Sequence, residues 1–239
     1  MPHSPAGLAE LRSFLLGIAG DPAEIPCFVE TNHGLLVSSL LEAGFPVYPI
    51  NPKTVNRHRK ASGAKTDAID AYILARTGRS DLADLRRLEP DSPIVQELKA
   101  LTRDQDILIQ SQTRLVNQLT ACLKAYYPAA LELFSKLQQP SALAFLEAYP
   151  TPEAALDADI EEIAALLKRH GHPRPNSTAE HIMHKLREPH LEADAITVRT
   201  KARLMLALVS QLAPLLDQIK AYDREIGRLF KSNPDSEIF

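Results

Sequence analysis

What this sequence has little of narrows its reading before any motif does. In 239 residues there are 9 glycines, no tryptophan and only 5% aromatic residues. Sandwiches and barrels draw on aromatic strands and glycine-rich turns, so this scarcity, beside abundant Ala and Leu, favours helix over an all-β architecture. Two cysteines occur, Cys27 and Cys122, 95 residues apart in apolar surroundings. They make neither a disulfide framework nor a zinc site, and read as reduced core thiols of a cytoplasmic protein. No apolar run approaches the roughly 20 residues that span a bilayer, so no membrane partner is expected. The start, Met1-Pro2-His3-Ser4-Pro5, lacks the basic stretch and apolar core of a signal peptide. Positive charge is not in excess either, with 27 basic against 30 acidic residues and a net charge of −3. Any nucleic-acid binding must therefore rest on local charge.

What is present, 45% apolar residues, suffices for one large domain or two small ones. Residues 1–90 read as α/β. A short amphipathic helix over Leu8 to Leu16 ends at Gly20-Asp21-Pro22, and Ile25 to Thr31 is an apolar run of strand length. Apolar residues at helical spacing from Gly34 to Glu42 stop at Gly44. Phe45 to Ile50 is a second strand candidate whose two prolines suggest an edge or a strand end. Strand, helix and strand in under thirty residues predict a parallel pair. A basic connector, Asn51 to Gly63, leads to a helix from near Thr66 through Ala75.

Residues 91–239 have a different texture. Ile94, Leu98, Leu101, Gln105, Leu108, Gln112, Leu115, Leu119, Cys122 and Tyr126 alternate four and three apart, a heptad seam without Gly or Pro inside it. A second seam passes through Leu204, Leu208, Gln211, Leu215, Ile219, Tyr222, Ile226 and Leu229, with a kink expected at Pro214. Between them, over 140–195, lies a helical insert. Thr151-Pro152 is a cap with proline at the first helical position, Asp159-to-Glu162 and Ser177-to-Glu180 fit capping boxes, and Gly171 closes a helix. Two long antiparallel helices with a helical subdomain at their tip are the expected arrangement. Gln105 and Gln112 read as register-setting polar positions, and Tyr126-Tyr127-Pro128 as a helix end.

Three carboxylates could carry chemistry. Glu30 ends a predicted buried strand, where open parallel sheets place functional residues. Asp67 and Asp70, three apart, share one face at a helix start. Such acids suit a hard cation such as Mg2+ and two-metal phosphoryl chemistry. The plainer reading makes Asp67 an N-cap, Asp70 a partner of the helix dipole and Glu30 a paired strand-end acid. Spacing leaves both open. From Asn51 to Arg79, however, seven basic residues (Lys53, Arg57, Arg59, Lys60, Lys65, Arg76, Arg79) face two acidic ones. That concentration suits a phosphodiester, although a solvated loop would look the same. His170 and His172 with His181 and His184 are a weaker, transition-metal candidate.

Three segments bear a family resemblance. Cys27-Phe-Val-Glu30, then Leu41-Glu-Ala-Gly44 through Asn51-Pro52, then Gly63-Ala-Lys65-Thr66-Asp67-Ala-Ile-Asp70-Ala71 follow the order and approximate spacing of the DEDD-type insertion-sequence transposases. The helical stretch with Arg103, Arg114 and Asn117-Gln-Leu119 also resembles that family. The resemblance implies a partial ribonuclease-H-like (RuvC-like) domain followed by an antiparallel coiled-coil region. It implies a DNA recombinase using Mg2+ (Mn2+ as substitute), held by Glu30, Asp67 and Asp70, with a structured guide RNA and assembly as a homodimer or tetramer. Lys53, Arg57, Arg59, Lys60, Lys65, Arg103 and Arg114 would contact nucleic acid. The family's first Asp and its nucleophilic serine have no counterpart in these residues, and Thr31-Asn-His33-Gly34 is longer than the usual link. A chain truncated at both ends and inactive alone is therefore expected. A non-catalytic dimerisation and nucleic-acid-binding module, or a resolvase-like metal nuclease, are the competing readings.

Overall fold

The structure is a computed structural model and describes residues 4–55 and 66–232. It is mostly helical, with one two-stranded parallel sheet, and divides into two compact units, Met1–Ser92 and Pro93–Phe239.

In the first unit the Ser4 hydroxyl accepts from the Gly7 N–H at 3.1 Å and starts α1 (Pro5–Ala19), longer at both ends than periodicity suggests. Then follow β1 (Cys27–Val29), α2 (Leu35–Glu42), β2 (Val47–Pro49) and α3 (Asp67–Asp81). Cys27 lies opposite Val47, and Val29 opposite Pro49, in parallel register. Each strand has only three residues, because Pro26, Pro46 and Pro49 have no N–H to give a ladder. Leu88 N–H donates to the Val47 carbonyl at 2.8 Å, so a non-strand segment covers the other edge of β2. Strand alternation then sorts the side chains. Cys27, Val29 and Val47 join Val37, Leu40 and Phe45 on one face, packed by α1 and α2. Phe28 joins Ile50, Val55 and Ile73 on the other, packed by α3.

The second unit is organised by two long helices, α4 (Pro93–Tyr126) and the last described helix, α9 (Ala195–Ser232). They run antiparallel. The Gln105 amide donates to the Ile219 carbonyl at 3.5 Å and to Asp223, while the Cys122 thiol reaches the Lys201 carbonyl at 3.3 Å. Every residue of the α4 seam is partly or fully buried, and Gln105 spends its polar group across the pair. The α9 seam differs. Its first half buries Ala202, Met205, Val209 and Leu212, whereas Leu204 is 45% exposed and Gln211 turns to its own helix, donating to Ala207 O at 3.0 Å. That half also packs on α5 (Pro140–Ala148), so its buried face rotates to serve two neighbours, which one heptad pattern cannot encode. The helix continues through Pro214.

The insert contains α5, α6 (Pro152–Leu156), α7 (Ile160–Arg169) and α8 (Pro175–Leu186). Thr151 caps α6, accepting from Ala154 N–H at 3.2 Å, and Gly171, at φ 72°, follows α7. Asp159 holds the N-cap position of α7 without a capping bond. α8 begins two residues before Ser177, since Pro175 supplies a preset first helical residue. Pro175 and Asn176 are therefore helical. Asp194 caps α9, accepting from the Ile196 and Thr197 N–H groups at 3.0 Å each. The core gathers Leu119, Leu123, Tyr127, Phe145, Ile163, Leu167, Ile182 and Leu212, all sealed from solvent. α9 alone among the described helices is long and apolar enough, by length and composition, to cross a membrane. Its Met205, Leu208, Val209 and Leu212 belong to this core.

Candidate functional site

The segments that carry the resemblance are also helix starts. The Asn51 side chain accepts from Lys53 N–H at 2.9 Å and its carbonyl from Thr54 N–H at 2.9 Å, so Asn51-Pro52 begins the helical turn at 52–55. The Thr66 hydroxyl accepts from Ile69 N–H at 3.3 Å and is the N-cap of α3. Asp67 is then the first helical residue, not the cap. It is exposed, while Asp70, one turn on, is half-buried. Both acids lie in the first turn of α3, where the helix dipole favours negative charge.

α3 is held against the sheet at one point of very close approach. A Cβ at Gly78 would lie 2.2 Å from the Phe28 ring, so only glycine lets the helix sit where it does. Phe28 is two residues from Glu30, which follows β1 and is exposed. Gly78 thereby sets the spacing between the strand that ends at Glu30 and the helix that begins with Asp67 and Asp70. Nothing in the sequence distinguished it from any other helical glycine.

The oxygen donors are of the right type for Mg2+. Among the described residues, however, no group of three or more His, Cys, Asp or Glu side chains is close enough to hold a metal ion. The described residues alone thus do not form a metal site at Glu30, Asp67 and Asp70, nor at the histidines. Of the basic residues, Lys53 is exposed beside Asn51, and Arg57, Arg59, Lys60 and Lys65 lie outside the described residues. Arg114 is exposed and donates to Ser111 Oγ at 3.0 Å, and Arg103 is half-buried. Eleven residues apart on α4, these two arginines share a face roughly 16 Å apart along the axis. His170, His172 and His181 line one cavity, and His184 another.

The model of a transposase family, the DEDD transposases of IS110 type, matches residues 1–128. The chain belongs to this family. A protein of Sinorhizobium fredii that bears the name transposase y4uE is 37% identical over 173 residues, 70% of this chain and 48% of that protein. The mini-circle protein of IS117 from Streptomyces coelicolor, also named as a transposase, is 32% identical over 234 residues, 94% of this chain and 56% of its own length. An uncharacterised IS900 protein of Mycobacterium paratuberculosis is 27% identical over 233 residues. The chain spans about half the length of the curated relatives it matches. Within the family match lie all three acids, the Asn51-Pro52 and Thr66-Asp67 helix starts, Gly78, and the whole of α4.

Proposed function

We propose that this chain works in DNA transposition by metal-dependent strand cleavage and exchange. Its first unit would be a ribonuclease-H-like (RuvC-like) acidic domain and its α4–α9 hairpin a coiled coil. The observation that carries the reading is that the family match over residues 1–128 contains Glu30, Asp67 and Asp70, with the strand just before Glu30 packed on the helix of the two aspartates through Gly78. Glu30, Asp67 and Asp70 would hold Mg2+, or Mn2+ in its place. The ion's chemistry would be to polarise the scissile phosphate. DNA phosphate oxygens or a further acid would complete its coordination. Lys53, Arg57, Arg59, Lys60 and Lys65, with Arg103 and Arg114, would neutralise backbone phosphates of DNA and of a structured guide RNA. The half-buried apolar residues of the hairpin, such as Leu108 and Leu115, would be covered in a homodimer or tetramer.

The test is thermal unfolding of wild type and Asp70→Asn with and without millimolar Mn2+. If the acids are ligands, their mutual repulsion is relieved in Asp70→Asn, which melts higher without metal and gains less from Mn2+. Equal Mn2+ shifts in the two proteins would show that Asp70 holds no metal.

A further inference from the structure

The N-termini of α5 and α8 open onto one cavity of about 660 Å3 in the second unit. Neither helix has a side-chain cap, and each begins with proline. The first-turn N–H groups that a cap would have taken, such as that of Ser141, are left for another acceptor. The lining carries Arg174, His170, His172 and His181, and no Asp or Glu. In a chain with a net charge of −3, that is a local reversal of sign.

A second feature points to a ligand independently of the helix ends. Ser141, on the cavity wall, is 3% exposed, and its hydroxyl makes no hydrogen bond. Among the described residues the one fully sealed and unpaired side-chain polar atom is the Tyr127 hydroxyl. The Ser141 hydroxyl therefore keeps an opening, and the cavity supplies it. His172 is oriented as well. Its Nδ1 accepts from the Arg174 N–H at 3.2 Å, which leaves its proton on Nε2 as a donor. Uncapped N–H groups, a buried free hydroxyl, a guanidinium and an imidazole donor, with no carboxylate opposing them, are the chemistry that recognises a phosphate oxyanion.

We propose that this cavity is a phosphate-binding site, roomy enough to take the phosphate with a nucleotide attached. It is built within the second unit, from residues of the segments 133–141 and 170–181.

Calorimetric titration of the full chain with inorganic phosphate, and separately with a 5′-phosphorylated single-stranded 12-mer, tests it. Arg174→Gln should weaken the phosphate-bearing ligand at least tenfold. Ser141→Ala, which removes the hydroxyl and keeps the N–H, should weaken it several-fold. Arg187→Gln, on α8's far end and away from this cavity, should leave it unchanged. Arg174-dependent binding of phosphate alone identifies a free-phosphate site, whereas tighter Arg174-dependent binding of the oligonucleotide identifies a strand phosphate. Either result upholds the site. Absence of binding in both titrations, or binding that Arg174→Gln and Ser141→Ala leave intact while circular dichroism shows both variants folded, would overturn it.

Discussion

The two units bury their apolar residues in different ways. The first divides them between two small clusters on opposite faces of a sheet only two strands wide, with the Phe28–Gly78 contact on the α3 face. The second concentrates them in one continuous core under a helical insert, with the long hairpin reaching beyond it. Burial stabilises in proportion to area removed from water, so most of the chain's stability belongs to the second unit. The residues proposed for chemistry belong mostly to the first. A thin sheet with acids at its strand end and helix start is a layout that a bound ion could stabilise.

The sharpest way to break that contrast is Leu123→Ala, which opens a hole in a fully sealed position of the second core. A cost of about 3 kcal/mol is expected, read as a lower denaturant midpoint for the helical unit. An equal loss in the first unit's transition would show that the two units do not unfold separately. Next is Gly78→Ala, where the new methyl overlaps the Phe28 ring and must push α3 off the sheet. A loss of about 1–3 kcal/mol confined to the first unit is expected, partly restored by adding Phe28→Leu. Unchanged stability in Gly78→Ala would mean that the close approach does not constrain α3.

Smaller and opposite in sign is Tyr127→Phe. The Tyr127 hydroxyl is sealed without a partner, and burial pushes its ionisation well above the usual tyrosine range. Removing it should raise the stability of the second unit by about 1 kcal/mol, measured as an increased midpoint. Tyr126→Phe is the contrast, because that hydroxyl donates to the Pro150 carbonyl at 2.8 Å and its loss should destabilise.

The smallest effect is a pH dependence specific to the helical unit. The hydrogen bond from the Thr197 hydroxyl holds the Asp194 carboxyl below its ordinary range, and Lys185 and Arg228 do the same for Glu188 and Glu225. A depressed folded value means the contribution is present above the unfolded carboxylate range and is lost as pH falls through the folded values. Lys185 has the opposite sign. Its ionisation is raised by hydrogen bonds to Glu188 and Glu132, so its contribution is lost only as strongly alkaline pH is reached. Melting temperature should therefore decline on acidification, and Asp194→Asn should flatten that decline. An unaltered acid limb in Asp194→Asn would place the dependence elsewhere.

Much of this protein was legible in its residue order. Apolar periodicity located both long helices, and proline and capping residues such as Thr151 marked helix starts, because these depend on local spacing and on hydrogen bonds within a few residues, although the cap of α3 is Thr66 and not Asp67. The order of Glu30, Asn51-Pro52 and Thr66-Asp67-Ala-Ile-Asp70 likewise pointed to the transposase family. What only tertiary structure decided is of another kind. The α9 seam rotates to Met205 and Leu212 because a second helix shares its face. Gly78 matters because of a ring 50 residues away. Ser141, Arg174 and His172 share a cavity because two helices begin at one place. A sequence pattern records which residues avoid water, but not which neighbours cover them, since that depends on how several elements divide the same space.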